Sequence, residues 1–322
     1  MKILAIGVVL LLALGYGGAK FYLYYNTSKG MKSAVLAVSP VMDLKYGGIS
    51  SSFGGELTID DLRIKIKGFE DDILIKRFGL KTPSILTLLE LGKLASGDSA
   101  NRGKMPEHFG IFAEEIRVPI HADYYKKLFA ETLKAARARD HQEPGVECVG
   151  KYGIFSPRAL KAMNYEEQVV SVSMIVRQAD SEFVIDMDTS AEQMFDTKIS
   201  VALGGHLMSE LSRGRAYRPK LSKLRIEHTD KSLIGRVKKY CAELGLTPQQ
   251  TLDSHLDALR HFGKQNGIEF DEYVTRPYRE YLAGSPNLVI TASPRRLIDF
   301  KEISHYNPRD VPALLNLEAV AQ

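Results

Sequence analysis

Along residues 41–83 hydrophobic positions recur with a period of two: Leu57 and Ile59, then Leu62, Ile64 and Ile66 set against Arg63, Lys65 and Lys67, then Ile73 and Ile75. That period puts alternate side chains on opposite sides of an extended chain. Glycines at 47, 48, 54, 55 and 68 punctuate the run. Together they predict a β-meander with one apolar and one polar face.

A second β region is clearer. The segments "QVVSVSMIVRQ" (168–178), "SEFVIDMDTS" (181–190), "DTKISVALGG" (196–205) and "KLSKLRIEHTD" (220–230) are four strand-length runs with short breaks. Val170, Val172, Met174 and Val176 share one side of the first. Phe183, Ile185 and Met187 share a side of the second, and Ile199, Val201 and Leu203 a side of the third. Connections this short predict consecutive antiparallel pairing.

Helical spacing appears between and after these regions. It covers "TPSILTLLELGKLASG" with Pro83 near its first turn, and the amphipathic stretch 121–140. A short helix is expected over 206–214, and residues 27–40 read as a short helix or stalk. From Asp230 the pattern turns helical: "DKSLIGRVKKYCAELG", then "TPQQTLDSHLDALRHFGKQNG" with Thr247 as N-cap, then "EFDEYVTRPYREYLAG" with Pro277 inside it. "NLVITASP", a short helix near "NPRDVPALLN", and "LEAV" follow. The expected class is α+β: antiparallel curved sheet packed with amphipathic helices, and a helical C-terminal third. The expected divisions are 1–26, 27–229 and 230–322.

The N-terminus changes where such a fold would live. Residues Ile3 to Ala19 carry no charge, and "KFYLYY" extends the segment to about the ~20 residues that span a hydrocarbon core. Two readings stand: an uncleaved signal anchor, or a signal peptide cut near Gly17-Gly18-Ala19. Phe21, Tyr22, Tyr24 and Tyr25 with Lys20 suit a membrane–water interface and favour the anchor. The expected placement is a single pass through an inner membrane, N-terminus in the cytoplasm and the bulk of the chain in the periplasm.

Export gives the cysteines meaning. There are two, Cys148 and Cys241; in an oxidising compartment they would form one disulfide, and otherwise two buried thiols. With 43 basic against 39 acidic residues the net charge is +4. Basic residues collect in 213–225 and 235–240, which for an exported chain suits anionic lipid headgroups or a solvated surface and gives no reason to expect nucleic acid.

Catalytic chemistry is not written in the chain. The glycine-rich stretches lack phosphate-loop spacing, and Ser50-Ser51-Ser52 lacks the nucleophile-elbow pattern. His255 and His261 lie six apart on one helical stretch and do not face together. Asp60-Asp61, Asp71-Asp72 and Glu114-Glu115 read as turn and strand-edge residues. No catalytic residue, metal site or cofactor is expected.

The stretch "YGGISSSFGGELTIDDLRI" ending in "KTPSILTLL", behind an apolar N-terminal run, resembles the opening of the AsmA-like and YdgA-like envelope proteins of Gram-negative bacteria. The resemblance covers about residues 1–90. It implies an inner-membrane anchor leading into a periplasmic β-rich body, in a group whose larger members are implicated in moving phospholipid. The C-terminal part resembles uncharacterised proteobacterial proteins of similar size. It supplies no catalytic residue.

Two readings of the greasy strand faces follow. They are a closed core, or an open apolar surface for acyl chains formed by Leu57, Ile59, Ile64, Ile66, Val172, Met174, Val176, Phe183, Ile185 and Met187. The first leaves a scaffold or accessory of an envelope complex, with Tyr273, Tyr278 and Tyr281 as an expected protein interface. The second gives a non-enzymatic, lipid-binding protein of envelope homeostasis.

Overall fold

In the computed structural model the described residues are 2–95, 106, 108–139, 148, 153–179, 182–204, 219–303 and 305–322. The expected short helix at 206–214 lies outside them, and so does a polar loop expected over 96–109 except for Pro106 and for His108 and Phe109, which belong to a strand. The side chains of residues 2–16, on which the anchor reading rests, also lie outside them.

Helix α1 (Lys2–Val38) runs without a break, so the short helix or stalk expected at 27–40 is, as far as Val38, the last third of one helix about 55 Å long. Among the described residues no helix is long and apolar enough to cross a membrane. Strands β1 (Met42–Lys45), β2 (Gly48–Ser51), β3 (Glu56–Ile66) and β4 (Asp72–Lys81) form the first meander. Helix α2 (Ile85–Ala95), β5 (His108–Pro119), α3 (Asp123–Arg139) and α4 (Pro157–Ala162) follow. Then come β6 (Glu167–Ala179), β7 (Glu182–Ala191), β8 (Phe195–Gly204) and β9 (Lys220–Asp230).

Helices α5 (Leu233–Glu243), α6 (Pro248–Gln265) and α7 (Glu272–Ala283) come next. The chain then returns to strand with β10 (Asn287–Ala292), β11 (Ile298–Asp299) and β12 (Leu317–Ala321), between which lie α8 (Phe300–Ile303) and α9 (Val311–Leu314).

All these strands belong to one antiparallel sheet, with the order β1-β3-β4-β5-β6-β7-β8-β9-β10-β12. From β3 to β10 every strand pairs with the next along the chain, as short connections dictate. Both ends are patched. β1 and β2 lie end to end along β3, and β10 and β11 both line β9. The two β regions are therefore one sheet. The C-terminal third is not purely helical, because β10, β11 and β12 complete the sheet beyond β9.

The helices start where local chemistry satisfies their first N–H groups. Thr247 accepts from Gln250 N–H while the Gln250 side chain accepts from Thr247 N–H, and Pro248 follows with no donor to lose. Ser156 caps α4 through Ala159 N–H, ahead of Pro157. That one-and-a-half-turn helix is too short to show a period in sequence and was not expected.

Three packed clusters close the fold around the sheet. The first gathers Leu160, Met163, Ala191, Val237 and the disulfide Cys148–Cys241, whose Cα atoms are 5.4 Å apart. The second sets Val176, Phe183, Leu203 and Leu221 under Ile298, Val311 and Leu315. The third places Tyr281 and Leu282 of α7 over Leu288. This corrects the expected tyrosine interface: Tyr273 is exposed, but Tyr281 is buried and Tyr278 packs beside it, because one side of α7 lies against the sheet.

Candidate functional site

Directly opposed residues in an antiparallel pair point to the same side of the sheet. Following these partners strand by strand links Leu57 to Leu80, Ile111, Met174, Met187, Ile199, Ile226 and Ile290. Eight aliphatic side chains thus form one row across eight strands, roughly 34 Å at ~4.8 Å per strand. None of the eight is buried.

The row beside it runs Ile59, Phe78, Ala113, Val172, Thr189, Thr197, His228, Leu288. Phe78 is 39% exposed, Ile111 38% and Val172 38%. An apolar sheet face need not be covered along its whole length. Here it is covered at its ends and partly open along its middle.

The apolar character survives a break in alternation. The ladder skips Asp61 of β3, Lys76 of β4 and Glu115 of β5, and Asp61 and Glu115 hold left-handed φ angles of 51° and 48°. Each strand shifts parity in the same place. Ile59 and Leu62, Phe78 and Ile75, and Ala113 and Ile116 therefore stay on one face.

The opposite face carries charge. Arg77 pairs with Glu56 and with Glu114 (3.0 Å), Lys76 with Glu115, and Arg117 with Glu115 and Glu167 (both 3.1 Å). Hydrogen bonds from Lys76 and Arg117 hold the Glu115 carboxyl below the usual range. Arg177 pairs with Asp186 at 2.8 Å farther along. These half-exposed pairs suit a water-facing surface and add little stability.

All ten residues singled out from the sequence point to the apolar face, but they divide. Leu57, Met174 and Met187 lie in the open row, and Ile59 and Val172 in the row beside it. Ile185 sits one row further over, Ile64 and Ile66 in the corner beside β1. Val176 and Phe183, each 5% exposed under the β11-to-β12 segment, and Ile59, 7% exposed, are corrected to core. Sequence reasoning missed Leu80, Ile111, Ile226 and Ile290. Ile199 was visible in its own alternation; Ile111 was obscured by the parity shift at Glu115.

The N-terminal helix joins this face directly. Leu23 is buried with Ile85 and Leu88 of α2, and with Ala19 this cluster packs on Leu57 and Leu80, where the open row begins. Gly55 forms the clasp there. Its carbonyl accepts from Thr82 N–H (2.8 Å) and Thr82 Oγ1 (3.0 Å), and its φ is +83°.

One polar step interrupts the face, where Thr197 lies opposite both Thr189 and His228. Thr197 Oγ1 and His228 Nδ1 are 2.7 Å apart, and the ring sits between Phe195 and Tyr281. Burial lowers the His228 pKa, which favours the neutral ring, and burial raises that of Tyr281. Among the described residues no group of His, Cys, Asp and Glu side chains could hold a metal ion. The chemistry this face offers is therefore apolar contact.

A protein-family model described as "Uncharacterized protein" matches residues 168–322, which run from β6 to β12. No curated protein matches the chain.

Proposed function

We propose that the open middle of the apolar face is a trough for the acyl chains of a lipid, in a non-enzymatic protein of the cell envelope. The observation that carries this reading is the Leu57-to-Ile290 row, eight aliphatic side chains none of which is buried. Each methylene laid on such a floor gains up to ~0.8 kcal/mol as water leaves both surfaces. Two methionines at its centre suit chains of irregular shape.

The apolar run Ile3–Ala19 and the aromatic cluster after it support an anchor in the inner membrane. Its helix packs at the start of the open row, which would give a lipid leaving the bilayer a short path to the trough. The disulfide supports a periplasmic body. The resemblance of residues 1–90 to AsmA-like and YdgA-like proteins agrees with both.

The test is mass spectrometry of lipid extracted from the purified full chain. Phospholipid or fatty acid at close to one per protein is expected, and less from Met187→Asp. Protein free of lipid, with an unaltered fold, would remove the reading. A second reading, docking to another envelope protein, is favoured by exposed Tyr273 and Phe262 on the outer sides of α7 and α6. Crosslinking through Tyr273 in cells tests it, and capture of no defined partner counts against it.

A further inference from the structure

Helices α5, α6 and α7 line a cavity of about 100 Å³, and its wall residues Ile234, Leu252 and Leu282 share a packed cluster with Ile290, the last residue of the open row. A single water needs about 10–15 Å³ of such space, so there is room for roughly seven to ten heavy atoms. Helical spacing makes the walls. Ile234, Val237 and Lys238 follow i, i+3, i+4 on α5, Leu252 and His255 come from one face of α6, and Leu282 comes from α7.

His255 is the unusual wall residue. It is 7% exposed, and its ring makes no hydrogen bond to another described residue. Water would serve it poorly, because a bound water needs two to four polar partners and most of the lining is aliphatic. Thr251, also at the wall, already gives its hydroxyl proton to the Thr247 carbonyl. Lys238 is exposed, donates to the Ala283 carbonyl at 3.4 Å, and its charge acts on the ring. A negative group at the ring would accept from His255 and lie in the field of that charge.

We propose that this cavity binds a short-chain carboxylate, its tail among Ile234, Val237, Leu252 and Leu282 and its carboxylate accepting a hydrogen bond from His255 beside Lys238. The site needs no lipid in the trough and does not rest on the trough reading.

Hexanoate and hexan-1-ol are the probes, titrated into the full chain with histidine isotopically labelled, reading the His255 ring by NMR and affinity by calorimetry. Hexanoate is expected to saturate one site and shift the His255 signals, with hexan-1-ol weaker by about tenfold or more. His255→Phe keeps the volume, removes the donor and weakens hexanoate about tenfold. Leu252→Trp fills the cavity and abolishes binding. Should Leu252→Trp fail to fold, Ala242→Leu narrows the same cavity. Met187→Asp, on the trough floor, leaves hexanoate affinity unchanged, which separates the two sites. No saturable binding, equal affinity for the alcohol, or binding that survives filling of the cavity would overturn the proposal.

Discussion

Met174 stands directly opposite Met187 in the antiparallel pair of β6 and β7, and neither is buried. They sit at the centre of a row whose other members, from Leu57 to Ile290, are also aliphatic and also partly open to solvent. Folding alone gives no reason to leave such a row uncovered while the flanking positions Val176, Phe183 and Leu203 are buried. On the proposed reading, this contrast is what distinguishes a trough from a core.

The contrast has a stability signature. Met187→Asp is expected to cost less than about 1.5 kcal/mol, because the new carboxylate keeps contact with water. Val237→Asp, at a position 1% exposed, buries a charge without a partner and is expected to cost at least 4 kcal/mol, by the same rule that makes large losses diagnostic. Urea unfolding of the two variants measures the difference. Equal, large losses would mean that Met187 is core.

The face was legible in the sequence because a period of two is local: Val172, Met174 and Ile185 announce their side without knowledge of any partner. Consecutive antiparallel pairing then extends the face from strand to strand. What was not legible depends on distant contacts. Nothing in "NLVITA" says that it returns across three helices to pair with β9, nor does Tyr281 show by itself that it faces the sheet. Which apolar side chains remain open is likewise a property of the helices that cover their neighbours.

The disulfide joins positions 93 apart in the chain and ties α5 to the segment after α3. Closing a loop of this length is expected to stabilise by about 2–5 kcal/mol. Cys241→Ser, or reductant added to the wild type, lowers the melting temperature accordingly in a thermal unfolding scan. An unchanged melting temperature would mean that the bond adds nothing to the fold.

His255 makes stability depend on pH. Burial, with the charge of Lys238 nearby, pulls its pKa from 6.5 down to about 4. The unfolded chain binds the proton more readily, so the contribution is whole above pH 6.5 and is lost as pH falls toward 4, on the order of 3 kcal/mol in all. As pH falls from 6.5 toward 4, the wild type should lose unfolding free energy relative to His255→Leu. A constant difference would contradict the assignment.

Gly55 and Gly68 both hold positive φ, +83° and +88°, but in different surroundings. A Cβ at Gly68 meets open space, whereas one at Gly55 lies 2.5 Å from the Thr82 carbonyl oxygen and 2.6 Å from Ser84 N. Gly68→Ala is expected to cost about 1 kcal/mol and Gly55→Ala roughly 3 kcal/mol or more, since strain and overlap add. Because Gly55 clasps the corner where α1 and α2 meet Leu57 and Leu80, its variant should also release less lipid on extraction. Equal costs in chemical denaturation would refute the clasp.

The most direct measurement is photo-crosslinking in cells from single positions on the two sides of β6. A benzophenone side chain placed at Val172 or Met174 faces the open rows, and one at Ser173 faces the charged side. The trough predicts phospholipid or fatty-acid adducts, identified by mass spectrometry, from Val172 and Met174 and none from Ser173. Adducts absent from all three positions, or equally abundant from Ser173, would contradict a lipid-binding face.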